Sequence, residues 1–228
     1  MAIQIQNLDL QEQEQLDQLK HFWRKWGNLI VWGLIAALGA VAAWNGWQYW
    51  QRKQGVQAAA LYAELERAVV DGELPRAEQA LGDIRAQSGG TLYAAQGALL
   101  AASVLKEKNK VAEAKAALAW VADKGSDEGL RAIARLRLAS ILMDEKAYDE
   151  AGKQLSASFP PAFVALAADR RGDLYVLQGR RFDAVTEYGK AYQGLDPNDR
   201  YRLLVGMKLG ALGVDPDVRR VSPSGAAS

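Results

Sequence analysis

The side chains best equipped for chemistry in this 228-residue chain are arginines. Arg131 and Arg135 stand four apart, the spacing that puts two side chains on one helix face. Arg170 and Arg171 are adjacent. A guanidinium fork matches the geometry of a carboxylate. Such pairs read either as a solvated helix surface, the default, or as part of a groove that takes an acidic peptide. The carboxylate pairs Asp127-Glu128 and Asp149-Glu150 fall in turns or at helix starts, where they complement the helix dipole. The single histidine, His21, lies beside an apolar stretch with no nearby carboxylate or serine in sequence, which points to a surface or interfacial place. There is no cysteine, hence no disulfide, thiolate metal site, thiol nucleophile or lipidated mature N-terminus. Gly89-Gly90 is not followed by a phosphate-loop lysine, and neither HExxH nor GxSxG occurs. We therefore expect no enzyme, no metal and no cofactor. A net charge of +1 without a clustered basic footprint also excludes a nucleic-acid partner.

If the chain binds rather than catalyses, the elements that position it matter most. From Trp26 to Gln51 no residue is charged. As an α-helix this run measures about 39 Å, against roughly 30 Å of bilayer hydrocarbon. Its strictly apolar heart, Leu29 to Trp44, is only about 24 Å, and the flanks supply the rest. Trp23 and Trp26 stand at one end; Trp44, Trp47 and Trp50 stand at the other, with Tyr49. Amphipathic rings favour the headgroup level, so these five tryptophans read as membrane-interface anchors. Arg24 and Lys25, and Arg52 and Lys53, lie just outside, where they can snorkel. A buried core helix would not carry such flanks, and an interfacial helix would need a polar face. Ala40-Val41-Ala42 resembles a signal-peptidase site, but the leader before it is long and carries Asp9, Glu12, Glu14 and Asp17. We expect a retained transmembrane helix over residues 22–53, in contact with the lipid bilayer. Lys/Arg counting on its two sides is nearly a tie, and the shortness of the preceding tail favours an N-inside orientation. Gly33, Ala36, Ala40 and Ala43 follow spacings of 3, 4 and 3 and form a possible packing face, or a chance stripe in an Ala/Gly-rich helix. Residues 1–21, sparse in leucine among Gln, Glu and Asp, are expected to be largely disordered.

Beyond Gly55 the chain repeats itself. The segments DGELPRAEQALGDI (71–84), KNKVAEAKAALAWV (108–121), EKAYDEAGKQLSAS (145–158) and QGRRFDAVTEYGKA (178–191) align. Each holds an alanine, Ala77, Ala114, Ala151 and Ala184, at spacings of 37, 37 and 33 residues. Four residues later stands a large side chain: Leu81, Leu118, Leu155 and Tyr188. Alanine at a helix crossing lets two helices touch, and the large neighbour fills the space one turn on. Seven residues after each alanine come Ile84, Val121, Ser158 and Ala191 on the same face. Another helical stretch precedes each segment, at about 56–70, 91–106, 129–143 and 162–177, joined by a short polar turn. Four hairpins that stack to share a core make an α-solenoid. Gly172, Tyr175, Gly179, Ala184, Tyr188 and Ala191 resemble the tetratricopeptide (TPR) pattern. The fold class expected is all-α: one N-terminal transmembrane helix, then a TPR-like solenoid of about four hairpins over 54–213 with a capping helix near 199–212. Residues 214–228, with Pro, Ser and Gly and no apolar period, are expected to be a disordered tail.

The stretches GWQYWQRKQGVQAAALYAEL (46–65), DEGLRAIARLRLASIL (127–142) and AADRRGDLYVLQG (167–179) resemble the YfgM-like family of bacterial inner-membrane proteins, ancillary subunits of the SecYEG translocon. The resemblance implies a cytoplasmic N-terminus and a periplasmic TPR-like domain. It also implies association with SecYEG and with a membrane-anchored periplasmic chaperone of the prolyl-isomerase type, in handing exported chains to chaperones. It carries over no catalytic motif and names no client-binding residue. The alternative is a membrane-anchored TPR scaffold for another cell-envelope complex, in division or outer-membrane assembly.

Overall fold

The structure, a computed structural model, describes residues 10–215. Among them there are nine α-helices: α1 (Leu10–Val70), α2 (Leu74–Ser88), α3 (Leu92–Glu107), α4 (Val111–Lys124), α5 (Glu128–Asp144), α6 (Tyr148–Leu155), α7 (Pro161–Leu177), α8 (Arg181–Gly194) and α9 (Arg200–Ala211). The chain divides into two compact units, Met1–Lys53 and Gln54–Ser228, with the division inside α1.

In the first unit α1 begins at Leu10, so residues 10–21, expected to be largely disordered, are helical. Residues 10–21 contain neither Gly nor Pro, and adding turns to an existing helix incurs no nucleation cost. Residues 1–9 lie outside the described residues, as do 216–228, which hold most of the expected C-terminal tail. The apolar stretch of α1 is uncovered: Leu38 is 62 % exposed and Trp32 65 % exposed.

The second unit is a stack of helical hairpins. The end of α1 pairs with α2, then α3 with α4, α5 with α6 and α7 with α8, while α9 packs on α8. Helices α3, α5 and α7 touch in succession and form one layer. Each hairpin turn is built alike. Gly72, Asn109, Lys146 and Gly179 all take the left-handed conformation, with φ of 73°, 59°, 63° and 72°. The next residue's N–H, from Glu73, Lys110, Ala147 or Arg180, reaches back to the carbonyl of Ala68, Leu105, Leu142 or Tyr175, each at 2.8 Å. These paired bonds satisfy helix-end carbonyls, and the left-handed position favours Gly, then Asn. Helices α3, α5 and α9 start differently. Thr91, Asp127 and Asp199 cap α3, α5 and α9 with side-chain oxygens that accept from Ala94, Leu130 and Tyr201 N–H. Asp127 is thus a helix cap, and Asp149 and Glu150 lie in the first turn of α6.

Ala77, Ala114, Ala151 and Ala184 are buried, and so are Leu81, Leu118, Leu155 and Tyr188. Each alanine lies on the buried face of α2, α4, α6 or α8. In the last hairpin α7 and α8 approach closely, so that a Cβ on Gly172 would stand 2.4 Å from the Tyr188 ring. Ser158, which follows the same spacing after Ala151, is not in a helix. Helix α6 stops at Leu155 after 8 residues, whereas α4 and α8 each run for 14. Phe159 precedes a proline, and a residue in that place is pushed away from helical backbone. Pro160 and Pro161 instead start α7, with Pro161 in its first turn.

Candidate functional site

A shallow groove runs along the layer of α3, α5 and α7. It consists of two hollows, of about 230 and 180 Å³, that share Arg137 and Ser140 of α5. Ser103 and Lys106 of α3 line the first; Leu166 and Arg170 of α7, with Tyr201 of α9, line the second. The hairpin stack places these residues: helices in one layer with like turns present like faces to one side.

The groove is polar at intervals and apolar between. The Lys106 ammonium pairs with Asp144 at 3.1 Å. The Arg137 guanidinium donates to the Leu99 carbonyl at 3.3 Å and thereby ties α5 to α3. Ser140 Oγ donates to Leu136 in its own helix. Arg170 is held by Asp173 at 2.9 Å. Burial works against its charge, but the neighbouring tyrosine and carboxylates outweigh that and raise its pKa. Such a lining offers side-chain donors and a few aliphatic surfaces to a segment of polypeptide.

Behind the far end of the groove lies a buried charged network. Asp169 is fully buried and accepts from Tyr201 Oη at 2.6 Å and from Lys208 Nζ at 2.8 Å. Lys208 also reaches Asp173 at 2.6 Å, and Tyr188 Oη donates to Asp173 at 2.7 Å. Burial and these carboxylates push the Tyr188 and Tyr201 hydroxyls well above the usual phenol range, so both remain donors. The Lys208 ammonium lies between the two carboxylates. The network fixes α9 on α7 and α8, and with it Tyr201 at the groove's end.

Arg171 points elsewhere. It donates to Glu187 at 2.6 Å and to the Leu155 carbonyl at 3.0 Å, joining α6, α7 and α8. Adjacent in sequence, Arg170 and Arg171 therefore have separate partners. Arg131 and Arg135 do share a place: both line a third cavity, on the opposite side of α5 from the groove. His21 is exposed. So are Trp23, Trp26, Trp44, Trp47 and Trp50 and the small-residue stripe of Gly33, Ala36, Ala40 and Ala43. Nothing lies within 4 Å of a Cβ built at Gly33.

Sequence reasoning missed Arg137, Ser140, Tyr201 and the Asp169–Lys208 network. Two signals were available. Asp169 and Asp173 stand four apart in an alanine-rich helix, and Lys208 interrupts the apolar run of α9.

The tetratricopeptide repeat-like domain family matches residues 20–214. The ancillary SecYEG translocon subunit of Neisseria gonorrhoeae is 28 % identical over 204 residues, covering 89 % of this chain and 98 % of that protein. The Escherichia coli protein of the same name is 30 % identical over 171 residues, 74 % of this chain and 81 % of its own length. That of Haemophilus influenzae is 29 % identical over 184 residues, 81 % and 90 % of the two chains.

Proposed function

The chain belongs to the YfgM-like family of ancillary SecYEG translocon subunits, a tetratricopeptide repeat-like family, and from that premise we propose that it is a membrane-anchored adaptor of the Sec machinery. The observation that carries this reading is the near end-to-end match with the Neisseria protein, which takes in the apolar helix as well as the repeats. Residues 22–53 cross the inner membrane once, held by the two tryptophan belts. Residues 1–21 are cytoplasmic, and residues 54–213 form the periplasmic repeat domain. The groove along α3, α5 and α7 takes up segments of exported chains or of a chaperone, and the membrane-anchored prolyl-isomerase-type chaperone is the partner to which they pass. The anchor restricts the groove to the membrane surface and so raises its effective concentration near the channel.

Affinity purification from detergent after mild crosslinking tests the assignment. SecY and periplasmic chaperones are expected in the eluate above background. Recovery of a division or outer-membrane assembly complex in their place would refute it. A topology reporter fused after Ser228 should be active only on the periplasmic side; cytoplasmic activity would reverse the orientation.

A further inference from the structure

The early end of α6 leaves a cavity. With no helical turn after Leu155, the face of α5 that carries Glu128, Arg131 and Arg135 stays open, and the chain crosses beside it as Ser158-Phe159-Pro160-Pro161. The space is about 520 Å³, the size of a small-ligand site. One wall is the loop, with the Phe159 ring and the two prolines. The other is α5, from which Glu128, Arg131 and Arg135 project. At 3.6 residues per turn, Arg131 and Arg135 lie on the opposite side of α5 from Arg137 and Ser140, so this cavity is not part of the groove.

The two guanidinium groups are weakly engaged. Arg131 reaches Glu128 at 3.4 Å and the Gly125 carbonyl at 3.5 Å. Among the described residues Arg135 reaches backbone alone, the Ala122 carbonyl at 3.3 Å and the Ser158 carbonyl at 3.5 Å. All four contacts are longer than the 2.7–2.9 Å typical of a guanidinium bound to a carboxylate. Two guanidinium groups thus face one carboxylate, and that carboxylate, Glu128, is 75 % exposed. Side chains four apart on a helix are about 5–6 Å apart at Cβ, a spacing that neighbouring carboxylates of one extended segment can meet. The rigid Phe159-Pro160-Pro161 wall adds an apolar surface for that segment's backbone and side chains.

We infer that this cavity is a second binding site, for an acidic segment of another polypeptide. The incoming carboxylates replace the long carbonyl contacts of Arg131 and Arg135, and the segment lies along Phe159, Pro160 and Pro161. Charge complementarity and the mixed wall favour this occupant. The inference rests on the lining alone and does not depend on the translocon assignment.

Fluorescence anisotropy with the full-length protein in phosphatidylcholine nanodiscs tests it. The probe is a short fluorescein-labelled peptide of alternating Glu and Ser, and the control is its Gln and Ser counterpart. The Glu peptide is expected to bind, and to bind less well as salt rises. Arg131→Gln with Arg135→Gln should weaken binding at least tenfold, and Arg67→Gln, exposed in the last turn of α1 and lining neither the cavity nor the groove, should leave it unchanged. Because Arg135 also links α4 to the α6–α7 loop, Ser158→Glu is a second arm: it sets a competing carboxylate at the mouth, keeps both arginines and should weaken binding likewise. Equal binding of the Gln peptide, full binding by both variants, or an equal loss in Arg67→Gln would overturn the proposal. Displacement of the Glu peptide by phosphatidylglycerol added to the disc would replace the polypeptide with an anionic headgroup.

Discussion

The repeat domain is held together in two different ways. From the end of α1 to α6 its core is apolar and rich in alanine, with Leu65, Ile84, Leu118 and Leu155 as its largest fully buried side chains. The core of α7 to α9 is smaller, and it is backed by Asp169, Asp173, Lys208, Arg171 and Glu187 in paired contacts. The difference follows from position in the stack. An inner hairpin has a whole hairpin on each side, whereas the last one, packed on α5 and α6 on one side, has only the short α9 on the other. Apolar contact is non-directional and would let a short terminal helix slide. Fixed donor and acceptor geometry does not.

The largest test removes the centre of the charged half. Asp169→Ala should cost about 3 kcal/mol, near the lower end for breaking a buried pair because Lys208 keeps Asp173. Hydrogen exchange should show that loss concentrated in α7 to α9. A loss spread evenly through α2 to α6 would break the comparison.

Next come substitutions that treat both halves alike. Ala151→Leu and Ala184→Leu each overpack a fully buried crossing and should cost about 1–3 kcal/mol in thermal unfolding. Gly172→Ala, aimed at the Tyr188 ring, belongs in the same range. Neutral effects at both alanines would mean that the repeat register does not set the packing.

A third test uses acid. Burial raises the Glu187 pKa, but hydrogen bonds from Lys190 and Arg171 outweigh it, and the net shift is downward. A carboxyl with a lowered folded pKa contributes stability above its unfolded pKa, about 4.3, and that contribution is lost as pH falls through the folded value. The urea midpoint of Glu187→Gln should therefore change less than that of the native protein as pH falls through and below this range. Equal slopes would remove Glu187 from the account.

The smallest effect concerns the turns. Lys146 carries a Cβ in left-handed backbone, where the three equivalent turns use Gly72, Asn109 and Gly179. Lys146→Gly should stabilise by about 0.5–1 kcal/mol, read as a higher midpoint in the same titration.

What could be read from the sequence, and what could not, follows the range of the interactions. The hairpins were legible because the alanine-to-large spacing and the polar joints are local patterns. Ile84 and Val121 extend that pattern and are buried, but Ser158 extends it and is exposed. There α6 has already ended at Leu155, before the Phe159-Pro160-Pro161 stretch that leads into α7. Residues 10–21 read as polar and loose, but a helix already nucleated by the apolar stretch continues through them. The charged network was not legible because its partners, such as Asp169 and Lys208, are far apart in sequence and each alone resembles a solvated charge. The groove shares that limit: Ser103, Arg137 and Leu166 become neighbours only when hairpins stack.

The shortness of α6 has a consequence for how such a chain diversifies. The alanine spacing drops from 37 to 33 residues at that point, close to one helical turn. In a protein with a single intertwined core, losing a turn would disturb everything packed on it. Here each hairpin meets only its neighbours, so the loss is absorbed locally: α7 and α8 resume the pattern, with Ala184 and Tyr188 in place. A deletion of one turn thus acts as a unit of variation. It leaves the array intact and exchanges a stretch of internal packing for a new recess, which substitution at single positions would not readily produce.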